Sequence, residues 1–342
     1  MIFVCHYTEK KPPGQVLRQI LFAYSPRLWY NEKNCTPGGV YTLNPSVYEL
    51  FSAALPELPL LQGEPLCEHT SFRIGGPAEL MLLPRSAEEL SACLRLCDRH
   101  GLTPRVLGAG TNVLAPDEGL SGAVILTKGL TGLRLVSDAE IEADCGVSLA
   151  KLASFAQRHG LTGLEFAHGI PGTVGGGLYM NAGAYGGELS QVTVQTDVLR
   201  PDGSFETVRG QAQGLGYRHS AFMDSGCVIV RGRFRLQKGD PEQVRAKMRE
   251  LSEKRRASQP LDLPSAGSTF KRPATGYAAA LIDRAGLKGF RVGGAAVSQK
   301  HAGFVVNLGG ATAQDVLKLM RQVQETVYAD SGVKLEPEVR IW

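Results

Sequence analysis

The chain has 342 residues, 43% hydrophobic and 20% charged, enough for a sizeable core and about two or three domains. A net charge of +4 is too mild for a nucleic-acid binder, and no stretch approaches the roughly 18 apolar residues of a membrane span. Seven scattered cysteines without a C-x-x-C pair point to reduced thiols in the cytoplasm, and the start lacks the apolar run of a signal peptide.

Residues 1–48 are rich in aromatics, Pro and Asn without a sustained period, which predicts a poorly ordered N-terminal extension. Regular elements begin at "SVYELFSAALPEL". "RSAEELSACLRLCDRHG" predicts a helix with Ser86 as N-cap, Glu89 as its capping-box partner and Gly101 at the end. "PRVL", "GAVILT" and "AEIEAD" are short strands, and "VSLAKLASFAQRHG" is a second helix closed by Gly160. "CVIVRGRFRL" alternates as a half-exposed strand does. After Gly239 the texture changes: Asp240 and Pro241 open a highly charged helix. A boundary near 236–240 is therefore expected, separating 49–236 from 237–342. A short helix at 278–285, strands around 290–308, a helix from Thr312 to Tyr328 and a last strand at 338–341 follow. The mixed order predicts α+β rather than a doubly wound sheet.

"VLGAGTNVLAPDEG" places Gly108 and Gly110 after a strand, as a dinucleotide fingerprint would. The third glycine position holds Val113, no helix can start in "APDEG", and no ribose-binding carboxylate lies about 20 residues on. What remains is either a tight turn or an anion nest of backbone N–H groups, to which Thr111 and Asn112 would add neutral donors. A second segment, "HGIPGTVGGGLYMNAGAYGGELS", carries eight glycines between residues 168 and 187. Two such loops, bracketed by strands, point to one large nucleotide cofactor.

Three further stretches carry reactive side chains. "LGYRHSAF" places Arg218 beside Tyr217, and "LPSAGSTFKRP" places Ser268 in a small-residue loop. "LEPEVRIW" places Glu336 and Glu338 where they would share one side of a strand. Each alone also reads as a turn or a polar strand edge. The seven histidines show no metal-ligand spacing, so no metal site is expected.

Together, "HTSFRIGGPAEL", "VLGAGTNVLAPDEG", "GIPGTVGGGLYMNAGAYGGEL", "GYRHSAF", "GSTFKRP", "AAALIDRAGLKGFRVGGAAVSQKHAGFVVN" and "LEPEVRIW" resemble the UDP-N-acetylenolpyruvoylglucosamine reductases (MurB) of peptidoglycan synthesis. The stretches occur in the family's order over about residues 50–342, without the tyrosine-bearing insertion of one subgroup. The resemblance implies a two-subdomain FAD-binding fold of the vanillyl-alcohol-oxidase (PCMH) type, followed by a C-terminal α+β substrate-binding domain. It implies noncovalent FAD, held by Gly108, Ala109, Gly110, Thr111 and Asn112 and by Pro171, Gly172, Thr173, Gly175, Gly176, Asn181, Ala182 and Gly183. NADPH is implied as hydride donor and a UDP-linked enolpyruvyl sugar as substrate, with no obligate protein partner.

The family's catalytic positions fall on Arg218, Ser268 and Glu338. Substrate contacts are carried to Tyr217, Lys271, Arg272 and His301, although the family has Asn where this chain has Arg272. Two other readings stay open: an oxygen-using flavoprotein oxidase of the same fold, and a non-catalytic nucleotide-binding protein. A covalently attached flavin is disfavoured, since no His lies between 101 and 158.

Overall fold

The structure is a computed structural model and describes residues 46–342, so the expected extension lies almost wholly outside the described residues. Val47–Trp342 form one compact unit. The predicted helices form where their caps direct. Ser86 accepts the Glu89 N–H at the start of Ala87–Arg99, and Ser148 accepts the Lys151 N–H at the start of Leu149–Arg158. The capping box at Ser86 is not reciprocal, because the Glu89 carboxylate turns instead to the Arg85 N–H at 2.7 Å. Asp240 caps Pro241–Ser258 as expected.

Three larger sheets, beside three two-stranded ones, organise the described residues. Leu60–Pro65, Pro77–Leu82, Leu120–Leu126 and Arg105–Leu107 form the first, in that spatial order, with parallel pairing between the last three. The second is antiparallel, in the order Phe205–Arg209, Thr193–Leu199, Val228–Arg235, Glu140–Asp144 and Leu133–Ser137. Alternation sends Ile141, Ala143, Val230 and Phe234 into the core, while Glu142 on the other face meets Arg134 at 2.6 Å and Arg233 at 3.0 Å. The third sheet runs Ser265–Ser268, Phe304–Asn307, Ala295–Val297 and Arg291–Val292, and Ala313–Ser331 packs against its far strands.

The charged helix Pro241–Ser258 sends Val244, Met248 and Leu251 into the core built by the first two sheets. By packing, then, the change of core comes after this helix rather than at 236–240. The C-terminal core, with Val316, Leu319, Val323 and Val327 at its centre, takes in Phe72, Ile74 and Leu114 from the N-terminal part. Hydrogen bonds add to this join. Ser71 Oγ donates to the Ser265 carbonyl at 2.6 Å, and Asn307 Nδ2 donates to that of Phe72 at 3.0 Å. The final strand Arg340–Ile341 pairs in parallel with Val113–Leu114, directly after the first glycine loop. That pairing brings the end of the chain to the site.

Candidate active site

The two glycine loops face each other. Thr111 Oγ1 donates to the Pro171 carbonyl at 3.0 Å, and a Cβ added to Gly108 would stand 2.6 Å from Thr173 Oγ1. Gly110 adopts φ +67°, where a Cβ would stand 2.1 Å from the His69 carbonyl oxygen, so both the turn and the close approach require glycine. The backbone N–H groups of residues 108–112 and of Gly172 donate to no described residue. A run of unspent donors without a carboxylate fits a pyrophosphate. Thr111 Oγ1 thus gives its one hydrogen to Pro171, and Asn112 Nδ2 gives one of its two to the Glu338 carbonyl at 3.1 Å.

Within the second loop the expected cofactor residues divide. Gly172 (φ +142°), Gly175, Gly176 and Gly183 keep accessible surface, and Gly175 and Gly183 also pack closely, a Cβ on them approaching Cys145 to 2.8 Å and the Gly187 carbonyl oxygen to 2.7 Å. Ala182 is occupied through its backbone by Gly177 and Leu189. Asn181 is 0% exposed, with its amide turned into the fold. Its Nδ2 donates to the Gly216 carbonyl and its Oδ1 accepts the Ser190 N–H, both at 2.9 Å.

Arg218 sits at φ +52° on a turn closed by reciprocal backbone bonds between Gly216 and His219 at 3.1 Å. Its Nε donates to Glu338 Oε1 across 120 residues of sequence. Burial pushes the Glu338 carboxyl above the ordinary carboxylate range, and the Arg218 guanidinium opposes that shift. The Glu338 N–H donates to the Thr269 carbonyl at 2.8 Å, which sets Glu338 beside the strand that ends at Ser268. The Ser268 hydroxyl has no partner among the described residues and borders a cavity of about 710 Å³ that Arg218, Glu338 and His301 also line. A second cavity of about 400 Å³ shares Arg218, Glu338 and Tyr217 with the first.

Glu336 and Glu338 are not a carboxylate pair. No regular strand forms there, and Glu336 points to solvent toward Lys271 at 3.4 Å. Lys271 lines the smaller cavity, while Tyr217 and Arg272 stand at the larger one. The Tyr217 hydroxyl accepts the Arg272 N–H at 2.9 Å, and the Arg272 guanidinium lies 4.2 Å over the ring of Tyr277. Nothing in "PATGYAAA" marks Tyr277 before the chain folds. His301 Nδ1 accepts the Gly303 N–H at 3.2 Å, and burial holds the imidazole below its ordinary range. Among the described residues no cluster of three acidic, His or Cys side chains could hold a metal, and no helix is long and apolar enough to cross a membrane.

Residues 259–342 match the family described as "UDP-N-acetylenolpyruvoylglucosamine reductase, C-terminal domain", and residues 78–209 match "FAD binding domain". UDP-N-acetylenolpyruvoylglucosamine reductase 2 of Bacillus cereus is 44% identical over 295 residues, covering 86% of this chain and 96% of the relative. The chain belongs to the UDP-N-acetylenolpyruvoylglucosamine reductase family. The reductase of Syntrophomonas wolfei is 42% identical, over 86% of this chain and 98% of its own length. The crystal structure of the reductase from Thermus caldophilus superposes with a TM-score of 0.72 at 36% identity, covering 84% of this chain and 99% of that one. As a member of this reductase family the chain carries the two-subdomain FAD-binding fold of the vanillyl-alcohol-oxidase type, followed by a C-terminal α+β part.

Proposed function

We propose that this protein is an NADPH-dependent flavoenzyme that reduces the enolpyruvyl ether of UDP-N-acetylglucosamine-enolpyruvate to the lactyl ether, UDP-N-acetylmuramate. The observation that carries the reading is the meeting of Arg218, Ser268 and Glu338 at one cavity, in a chain of this family. The unspent N–H groups of residues 108–112 and Gly172 would hold the FAD pyrophosphate. FAD, when bound, supplies the relay of a hydride from NADPH to the terminal carbon of the substrate double bond.

The protein's own groups manage the charge and the proton. Arg218 is suited to the substrate carboxylate, which a guanidinium holds through two hydrogen bonds. As that carboxylate takes over Arg218, Glu338 loses the cation that opposes its protonation. Protonated Glu338 then donates a hydrogen bond to the developing enolate. The free Ser268 hydroxyl delivers its proton to the adjacent carbon, completing the saturation. Tyr217, Lys271, Arg272 and His301 line the approaches and would contact the substrate. The reading needs only small-molecule reactants and no protein partner, and their solubility suits a cytoplasmic enzyme.

The test is NADPH oxidation by the purified yellow protein without oxygen, with and without the UDP-linked enolpyruvyl sugar. Oxidation that depends on the sugar is the expected result. Turnover that requires oxygen would instead identify an oxidase, and no turnover in either condition a nucleotide-binding protein.

A further inference from the structure

Two asparagines sit between the glycine loops and the reacting groups. Asn112 ends the first loop. Its Nδ2 donates to the Glu338 carbonyl at 3.1 Å, and its own carbonyl accepts the Arg340 N–H at 2.9 Å. Glu338 is thus bracketed by one residue of the cofactor loop. Asn181 follows the helix Val174–Met180, which grows out of the second loop, and its Nδ2 holds the Gly216 carbonyl two residues before Arg218.

Both positions are specific to asparagine in what they ask. Asn181 is left-handed at φ +44°, a conformation Asn adopts more readily than most side chains. It is fully buried with both ends of its amide used, so its removal leaves the Ser190 N–H without a partner and the Gly216 carbonyl with the His219 N–H alone. Asn112 supplies a donor that Asp would replace with an acceptor, facing another acceptor.

We infer that Asn112 and Asn181 are positioning residues that tie the two cofactor loops to Glu338 and Arg218, so that cofactor seated in the loops sets the registry of the pair. Asn112 fixes the carboxylate end and Asn181 the guanidinium end. Asn181 has neither end of its amide free for the cofactor, and Asn112 gives one Nδ2 hydrogen to the Glu338 carbonyl. The inference rests on the reductase reading for its kinetic consequence, though the mechanical tie stands on the hydrogen bonds alone. A misplacement of about 1 Å in such a constellation costs on the order of 100-fold in rate.

The test uses Asn112→Ala and Asn181→Gly, the second keeping the left-handed backbone while removing the amide. Asn181→Asp, which retains an acceptor for the Ser190 N–H, serves if the glycine variant does not fold. Stopped-flow separates flavin reduction by NADPH from reoxidation by the enolpyruvyl sugar. Measured on flavin-loaded protein, reoxidation should slow by about 10- to 100-fold and reduction by much less.

Hydrogen exchange supplies a readout apart from turnover. In the wild type, FAD should slow amide exchange in peptides covering 214–220 and 336–342. Asn112→Ala should abolish the slowing at 336–342 and Asn181→Gly that at 214–220, each with FAD still bound. Wild-type reoxidation rates in both variants, or exchange that responds to FAD as before, would overturn the inference. A parallel fall of both half-reactions with loss of flavin would assign the asparagines to cofactor binding instead. If the wild type itself does not oxidise NADPH with the sugar, the reductase reading fails, and the exchange measurement still decides the tie.

Discussion

Asp117 caps a helix that starts 196 residues further along the chain: its Oδ1 accepts the Ala313 N–H at 2.7 Å and its Oδ2 that of Gln314 at 3.2 Å. The turn that follows the donor nest and the strand Val113–Leu114 therefore holds the first turn of Ala313–Ser331, the helix at the centre of the C-terminal core. Asp117→Ala should destabilise the protein by about 1 kcal/mol, the usual cost of an N-terminal capping carboxylate. Denaturant unfolding checks this, and an unchanged midpoint would mean that Thr312, which also caps this helix, suffices.

Gly110→Ala should yield protein that purifies without flavin, because the new methyl collides with the His69 carbonyl and must displace the nest. Gly101→Ala is the matched control. It has nearly the same left-handed φ of +65° but nothing within 4 Å of the added Cβ. It should stay yellow and lose only about 1 kcal/mol of stability. Visible absorbance separates the two, and a yellow Gly110→Ala would show that the nest tolerates a shift.

Ser268→Ala should leave flavin reduction by NADPH nearly intact and slow reoxidation by the enolpyruvyl sugar by orders of magnitude. A normal reoxidation trace would remove Ser268 from the proton-delivery step.

Arg218 holds a conformation that favours glycine, so Arg218→Gly relieves backbone strain as it removes the guanidinium. Both Arg218→Gly and Arg218→Ala should retain FAD and lose turnover, with the glycine variant more stable by about 1 kcal/mol. Unfolding curves and flavin content decide. A colourless protein from both variants would point to a structural role for the residue.

Glu338 titrates in a direction that can be followed. Its folded-state pKa is raised, so its stabilising contribution is present below the unfolded-state value and is lost as pH rises. As pH rises above the unfolded-state value of about 4, the melting temperature of Glu338→Gln should therefore gain on that of the wild type. The rate of reoxidation should fall on the alkaline side of the same titration. Gln, a donor at every pH, should flatten that limb. A constant melting difference across the range would mean that Glu338 is charged throughout.

The sequence by itself determined the local structure and the chemical parts. Ser148, Asp240 and Thr312 cap the helices that follow them, because capping is a matter of neighbouring backbone donors. The two glycine loops are legible for a similar reason: left-handed turns and close backbone approach exclude side chains and leave a compositional mark. Arg218, Ser268 and Glu338 are recognisable as a set only through resemblance, since 120 residues separate the two ends of the ion pair and no period links them.

Only the tertiary structure decided which polar groups are spent. Asn112 and Asn181 read as cofactor donors in a glycine-rich context, yet folding brings the Glu338 carbonyl to one Asn112 Nδ2 hydrogen and uses up both ends of the buried Asn181 amide. It likewise split Glu336 from Glu338, turning one to solvent and the other into a part-buried pair with Arg218. Hydrogen-bond capacity is finite and is allotted by distance in space. A chain read in one dimension shows which groups are present, while the fold decides which remain free to act.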